Sequence, residues 1–179
     1  MKATFNYTKY LDKNPLQRFL IKSFFNNLTK TVSDLKVNRI LDAGCGEGIL
    51  LEHFRRRNIG TYLEGVDSLK DAIVLAGKLH PEFVFKQGDI YDFPYRDNSF
   101  DLVVCTEVLE HLESPKVAVR EIRRITKKYC LFSVPNEPIF RIANFLRGRY
   151  VKDFGNTPGH INHWSKNSFV KFLEKEGIG

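Results

Sequence analysis

Five short apolar runs, spaced by stretches with helical character, constrain this chain more than any other feature. They are RILDAG (Arg39–Gly44), TYLEGVD (Thr61–Asp67), FVFKQGD (Phe83–Asp89), FDLVVCT (Phe100–Thr106) and YCLFSVP (Tyr129–Pro135). Several are nearly all apolar, as strands covered on both faces should be. Helical patterns fall between them, roughly Gly48–Asn58, Leu69–Leu79 and Pro115–Lys127. Such a strand–helix rhythm predicts an α/β fold whose parallel strands are joined by right-handed crossovers. Ahead of the first strand, Asn14 and Pro15 suit the N-cap and first position of an amphipathic helix running to about Asp34. After the fifth run comes NEPIFRIANFLRGRYVKDFGNTPGHINHWS, neither a clean strand nor an ordinary crossover. A last helix is expected over Lys166–Glu176.

At 179 residues the chain suits one domain with a real core, and its 15 phenylalanines can fill one. No apolar stretch approaches the ~20 residues of a membrane helix. MKATFNYTKY has no apolar segment of the secretory kind. Cys45, Cys105 and Cys130 lack metal-like spacing and lie in or beside strand-like runs, which reads as free thiols in a reducing cytoplasm. The net charge of +7 gathers in HFRRRN and REIRRITKK. Both read as solvated helix faces. A nucleic-acid footprint is the less favoured reading, because no aromatic residues interleave with the charges.

In open parallel sheets ligands bind beyond the carboxyl ends of the strands, so chemistry is sought there. The first strand ends in LDAGCGEG, with Asp42, Gly44, Gly46 and Gly48. Glycines allow a tight turn and close approach of backbone to ligand. Ile49 stands where a dinucleotide-binding turn would need its third glycine. Asp42 would repel a phosphate but could receive an ammonium group. The second strand ends in Asp67, which could accept both hydroxyls of a ribose. The third ends in QGDI, where Asp89 could accept an exocyclic amine and Ile90 could pack on a flat base. Ammonium, ribose and adenine without an obligatory phosphate describe S-adenosyl-L-methionine better than NAD.

Together LDAGCGEG, GVD, QGDI, FPYRDNSFDLVVCTEVLEHL, VPN and GHINHWS resemble the class I S-adenosylmethionine-dependent methyltransferases, and most closely the branch of the ubiquinone-biosynthesis O-methyltransferases. The resemblance covers roughly Tyr10 to the end. It implies a Rossmann-like parallel sheet in the order 3-2-1-4-5 with helices on both faces. It implies cofactor contacts by Asp42, Gly44, Cys45 and Gly46 at the methionine end, and by Asp67, Ser68 and Leu69 at the ribose and adenosine. Asp89 and Ile90 would hold the adenine, and Thr106 and Glu107 would face the methionine moiety or the methyl. The family normally adds two strands after the last helix, and this chain reaches EKEGIG where the sixth would begin. The expected layout is a single domain: a helical cap (1–36), a cofactor-binding core (37–135), a substrate-side insertion (136–164) and a final helix (165–179).

The stretch VCTEVLEHLESP places Glu107, Glu110 and His111 at i, i+3, i+4, which on a helix would share a face. Two readings stand. With a histidine from GHINHW they could cage a divalent ion, as in small-RNA 2′-O-methyltransferases. Otherwise they open a helix and line the active site, with Glu107 and His111 as catalytic candidates and no metal. The second reading is adopted, because two carboxylates and one imidazole leave a divalent ion short of ligands. The expected protein is an S-adenosylmethionine-dependent methyltransferase acting on a small-molecule or lipid-like acceptor. The alternatives are a metal-assisted RNA methyltransferase and a non-catalytic nucleotide-binding domain of the same fold. No feature of the chain points to an oligomeric state. Tyr7, Tyr10 and Arg18 are candidate lid residues. PIFRIANFLRGRY (Pro138–Tyr150) is expected to cover an edge strand or the active site.

Overall fold

The structure is a computed structural model, described over residues 14–137, 139, 141, 142, 154 and 156–178. Its elements follow the chain as α1 (Pro15–Ser33), β1 (Arg39–Ala43), α2 (Ile49–Arg55), β2 (Tyr62–Asp67), α3 (Lys70–Leu79), β3 (Val84–Gln87), β4 (Phe100–Thr106), α4 (Pro115–Ile125), β5 (Thr126–Ser133) and α5 (Lys166–Lys175). All strand pairings are parallel and the order is β3-β2-β1-β4-β5, as expected. Tyr7 and Tyr10 lie outside the described residues, as does most of Pro138–Tyr150. Arg18 is exposed on α1.

Period-two alternation assigns the strand residues to two cores. Ile40, Leu63, Leu102 and Val104 pack with Phe25, Leu28 and Val32 of α1 and Leu50, Leu51 and Phe54 of α2. Leu41, Ala43, Val103 and Cys105 pack with Ala118, Val119, Ile122 and Ile125 of α4 and Phe169 of α5. Helices therefore cover both faces. The fully buried Phe54 is the kind of side chain whose loss to alanine costs about 3–5 kcal/mol.

Local chemistry fixes the helix starts. The Asn14 side chain accepts hydrogen bonds from the Leu16 and Gln17 amides ahead of Pro15. Ser165 and Ser168 form a reciprocal capping box at α5. Both basic runs behave as solvated faces held by acids. Arg55 and Arg56 pair with Glu52, and Arg124 pairs with Glu121 and Asp97.

Two expectations need correction. Glu107, Glu110 and His111 do not share a helix face: Glu107 has φ 57°, and the chain beyond it makes only a single 3₁₀ turn, Leu109–His111. The β5 strand begins at Thr126, three residues before the apolar run, directly from the end of α4.

Candidate active site

The carboxyl ends of β1, β2 and β4 meet around the glycine turn. β1 is flanked by β2 and β4, with Asp42 opposite both Gly65 and Val104. The Gly44 and Cys45 amides both donate to the Val66 carbonyl, at 2.7 and 3.0 Å, binding the turn to β2. Gly44 has φ 86°, and a Cβ there would collide with Val108 of the β4 loop. The space a Cβ would take on Gly46 is open. A left-handed backbone, a close neighbour and an open approach are three separate demands that glycine meets.

Asp67 holds this arrangement from the end of β2. Its Oδ2 accepts the Gly46 amide at 2.9 Å and its Oδ1 the Leu69 amide at 2.9 Å. One carboxylate thus sets both the glycine turn and the entry to α3. Ser68 and Leu69 are exposed beside it. Asp42 is 2 % exposed, and its Oδ1 has no hydrogen-bond partner among the described residues. Burial, and then the nearby Asp67 charge, push its carboxyl up to about 8. The Cys45 thiol packs down against Gly65, and burial together with Asp42 and Asp67 raises its pKa far above the thiol range. Cys45 is therefore not placed to act as a nucleophile. Asp89 is exposed and its Oδ1 caps a turn by accepting the Tyr91 amide at 2.9 Å. Ile90 is half-buried against the α4-side core.

A second cluster stands beyond β4 and β5. Glu107 leaves the end of β4, with its amide on the Ser133 carbonyl and its Oε1 accepting from the Ser133 hydroxyl, both at 3.0 Å. It belongs to this clasp between strand ends and not with Glu110 and His111. Those two meet His160 instead, with one ligand atom from each of the three lying within 4.8 Å of the others. His111 Nδ1 lies 2.8 Å from the Gly159 carbonyl, and the Ile161 and Asn162 amides donate to the Glu110 carbonyl. The loop 156–163 is thereby tied to the 3₁₀ turn. Behind His160 sits Glu137, 3 % exposed, with Oε1 at 2.6 Å from His160 Nδ1. His160 is one of the two histidines of GHINHW, and the fold selects it as the neighbour of His111. Glu137 belongs to no recognisable spacing pattern, so sequence reasoning misses it.

A sequence model of a methyltransferase domain matches residues 16–178. The chain belongs to the class I methyltransferases. The methyltransferase is 33 % identical over 186 residues to a ubiquinone biosynthesis O-methyltransferase of Alkalilimnicola ehrlichii, covering 93 % of this chain and 71 % of that one. It is 31 % identical over 148 residues to the protein of the same name from Neisseria meningitidis serogroup C, covering 75 % of this chain and 59 % of that one. Among solved structures, it superposes on a SAM-dependent methyltransferase from Archaeoglobus fulgidus with a TM-score of 0.72 at 21 % identity, over 98 % of this chain and 74 % of the other. That likeness establishes the Rossmann-like fold. No helix among the methyltransferase's described residues is long and apolar enough to cross a membrane.

Proposed function

We propose that the protein transfers a methyl group from S-adenosyl-L-methionine to a hydroxyl oxygen of a small-molecule acceptor. One observation carries the reading: the buried, unpartnered Asp42 Oδ1 lies at the root of a glycine turn that is open above Gly46. A cationic ligand end fits there and a phosphate does not, because an ammonium favours the charged form of Asp42 that burial and Asp67 otherwise disfavour. The residues fit the cofactor's three parts. Asp42 and the Gly44–Gly46 backbone would hold the ammonium end, with Thr106 and Glu107 across from it. Asp67 keeps lone pairs for ribose hydroxyls beyond the two amides it accepts. Asp89 and Ile90 would border the adenine.

The cofactor would supply an already activated methyl group on its sulfonium, for transfer to a lone pair of the acceptor oxygen. The protein's part is alignment and removal of the hydroxyl proton. Val108, seated on Gly44, joins the turn to the Glu110–His111–His160 cluster, so its imidazoles are the groups to receive that proton. The O-methyltransferase activity named for the ubiquinone-biosynthesis relatives supports an oxygen acceptor. A second reading rests on the same three side chains: two imidazoles and a carboxylate could hold a divalent cation, which would supply a Lewis acid beside the acceptor.

Calorimetric titration with S-adenosylhomocysteine, S-adenosylmethionine and NAD side by side tests the assignment. The first two should bind stoichiometrically and NAD should not. Binding of NAD alone would overturn it.

A further inference from the structure

We propose that a cleft at the amino end of the sheet, between the ends of α1 and α2 and the starts of β1 and β2, binds a small organic phosphate. It holds about 670 Å³, and Lys36, Arg57 and Lys128 are among its lining residues, with no carboxylate in that set. Such a volume exceeds what a bare inorganic ion fills and suits a small organic molecule. The site is separate from the glycine turn. Asn38, in the cleft lining, precedes β1 and Gly44 follows it, a span of roughly 20 Å at ~3.3 Å per residue of strand.

Arg57 is the arginine of HFRRRN that no acid holds. Arg55 and Arg56 pair with Glu52. The Arg57 guanidinium instead donates to the Asn26 side chain at 3.0 Å and lies 3.1 Å from His53 Nδ1, with no ion pair among the described residues. The bond to Asn26 carries it across to α1, one turn before Thr29 of the cleft lining. The Lys128 ammonium donates to the Lys36 carbonyl at 3.0 Å, which sets it at the cleft wall, and pairs with Asp101 at 3.1 Å. Asp101 is the opposing charge, and the Asn38 and Arg39 amides already occupy its other oxygen. Lys36 is exposed and forms no ion pair among the described residues. Asp34, exposed at the end of α1, lies outside the lining. The ends of α1 and α2 bring about half a negative charge each, and some of their carbonyls are capped, by the Ser33 hydroxyl and by the Ile59 amide. Against these stand two unit charges with no acid partner, Lys36 and Arg57. The cleft is left positive. Asn38 and Asn58 line it too, and their side-chain amides make no hydrogen bond among the described residues. A phosphate matches such a donor set better than a carboxylate, because it brings more charge and one more free oxygen, and a guanidinium fits its geometry. Val37 and Ile59, each 7 % exposed, give the lining an apolar part for the organic body to cover.

The test titrates the full chain with phenyl phosphate at constant ionic strength, followed by amide proton–nitrogen spectra. The amides of Lys36, Asn38, Asn58 and Gly60 should shift along one saturable curve, with a Kd of roughly 1 mM or tighter. Inorganic phosphate and benzoate should each bind at least threefold more weakly, and phenol should leave these amides unmoved. Lys36→Gln and Arg57→Gln should each weaken phenyl phosphate at least threefold, and together at least tenfold. Saturating S-adenosylhomocysteine should leave the Kd within twofold. The proposal is overturned if these amides stay still, if chloride at the same ionic strength moves them equally, or if inorganic phosphate, benzoate or phenol matches phenyl phosphate. Displacement of the probe by S-adenosylhomocysteine overturns it as well, by placing the anion at the glycine turn. So does wild-type affinity in Lys36→Gln, whose exposed side chain makes that variant decisive even where Arg57→Gln fails to fold.

Discussion

Asp42 shows how one residue can hold a site in readiness. Its carboxyl is pushed from 3.8 up to about 8, first by burial and then by Asp67. The folded state therefore binds the proton more tightly than the unfolded chain. Asp42 leaves stability untouched below about pH 4, lowers it progressively as pH rises toward 8, and lowers it by the full amount above that. A ligand ammonium reverses the shift by favouring the charged carboxylate. Binding of S-adenosylhomocysteine at pH 7 should accordingly release up to one proton. Calorimetry in phosphate and Tris, whose ionisation heats differ, measures that number, which should vanish in Asp42→Asn. Buffer-independent heats in the wild type would reject the ammonium assignment. Gly44 offers a stability test at the same scale. Gly44→Ala should cost roughly 1–2 kcal/mol for a left-handed backbone and a further ~1–3 kcal/mol for the overlap with Val108. Adding Val108→Ala should restore the second part and not the first, which a double-mutant cycle in denaturant would resolve.

At the scale of elements, the loop ahead of β4 depends on α4. Arg124 donates to the Phe93 and Tyr95 carbonyls and to Asp97, while Glu121 accepts from the Phe93 amide. A guanidinium can reach all of these at once and an ammonium cannot. Arg124→Lys should therefore lower Tm by a few degrees, in line with ~2–4 °C per kcal/mol for a domain of this size. An unaltered Tm would show that the fork geometry is dispensable. The same elements show where sequence is legible. β1, β2 and β4 are buried on both faces and stand out as apolar runs, and with the helices between them they lead to the right sheet order. β5 is an edge strand whose first residues, Thr126–Tyr129, are half-buried or exposed, so polarity hides its start. The EVLEH stretch misleads for another reason. Its spacing is helical, but Glu107 in the left-handed region turns the chain and sends its side chain to Ser133. His160 and Glu137 are far from His111 along the chain, and only the folded loop makes them neighbours.

At the scale of the molecule, two polar groups stand near the carboxyl ends of the strands, Asp42 with the glycine turn and the cluster of Glu110, His111 and His160. Val108 packs against Gly44 of the glycine turn, and just beyond it in the chain Glu110 and His111 meet His160. Whether that second group works through protons or through a metal decides the acceptor chemistry. Loss of Glu107 from the set and gain of His160 changes the donor count from two carboxylates and one imidazole to one carboxylate and two imidazoles. Mg²⁺, which favours oxygen ligands and keeps several waters, is served worse by the new set than by the old. A softer ion such as Zn²⁺ is served better, with three protein ligands and one open position. Each ring already has a partner at Nδ1, the Gly159 carbonyl for His111 and Glu137 for His160, and such partners serve a proton acceptor as well as a ligand. Methyl transfer asks for no more than the proton acceptor, since the sulfonium is already activated. We therefore expect protein purified without a metal-affinity tag to carry no stoichiometric metal. Its turnover of a catechol should be the same with EDTA as with added Mg²⁺ or Mn²⁺. Stoichiometric zinc, or activity lost to chelator and restored by a divalent ion, would establish the metal reading and direct the search toward vicinal diols, catechols and RNA 3′ ends.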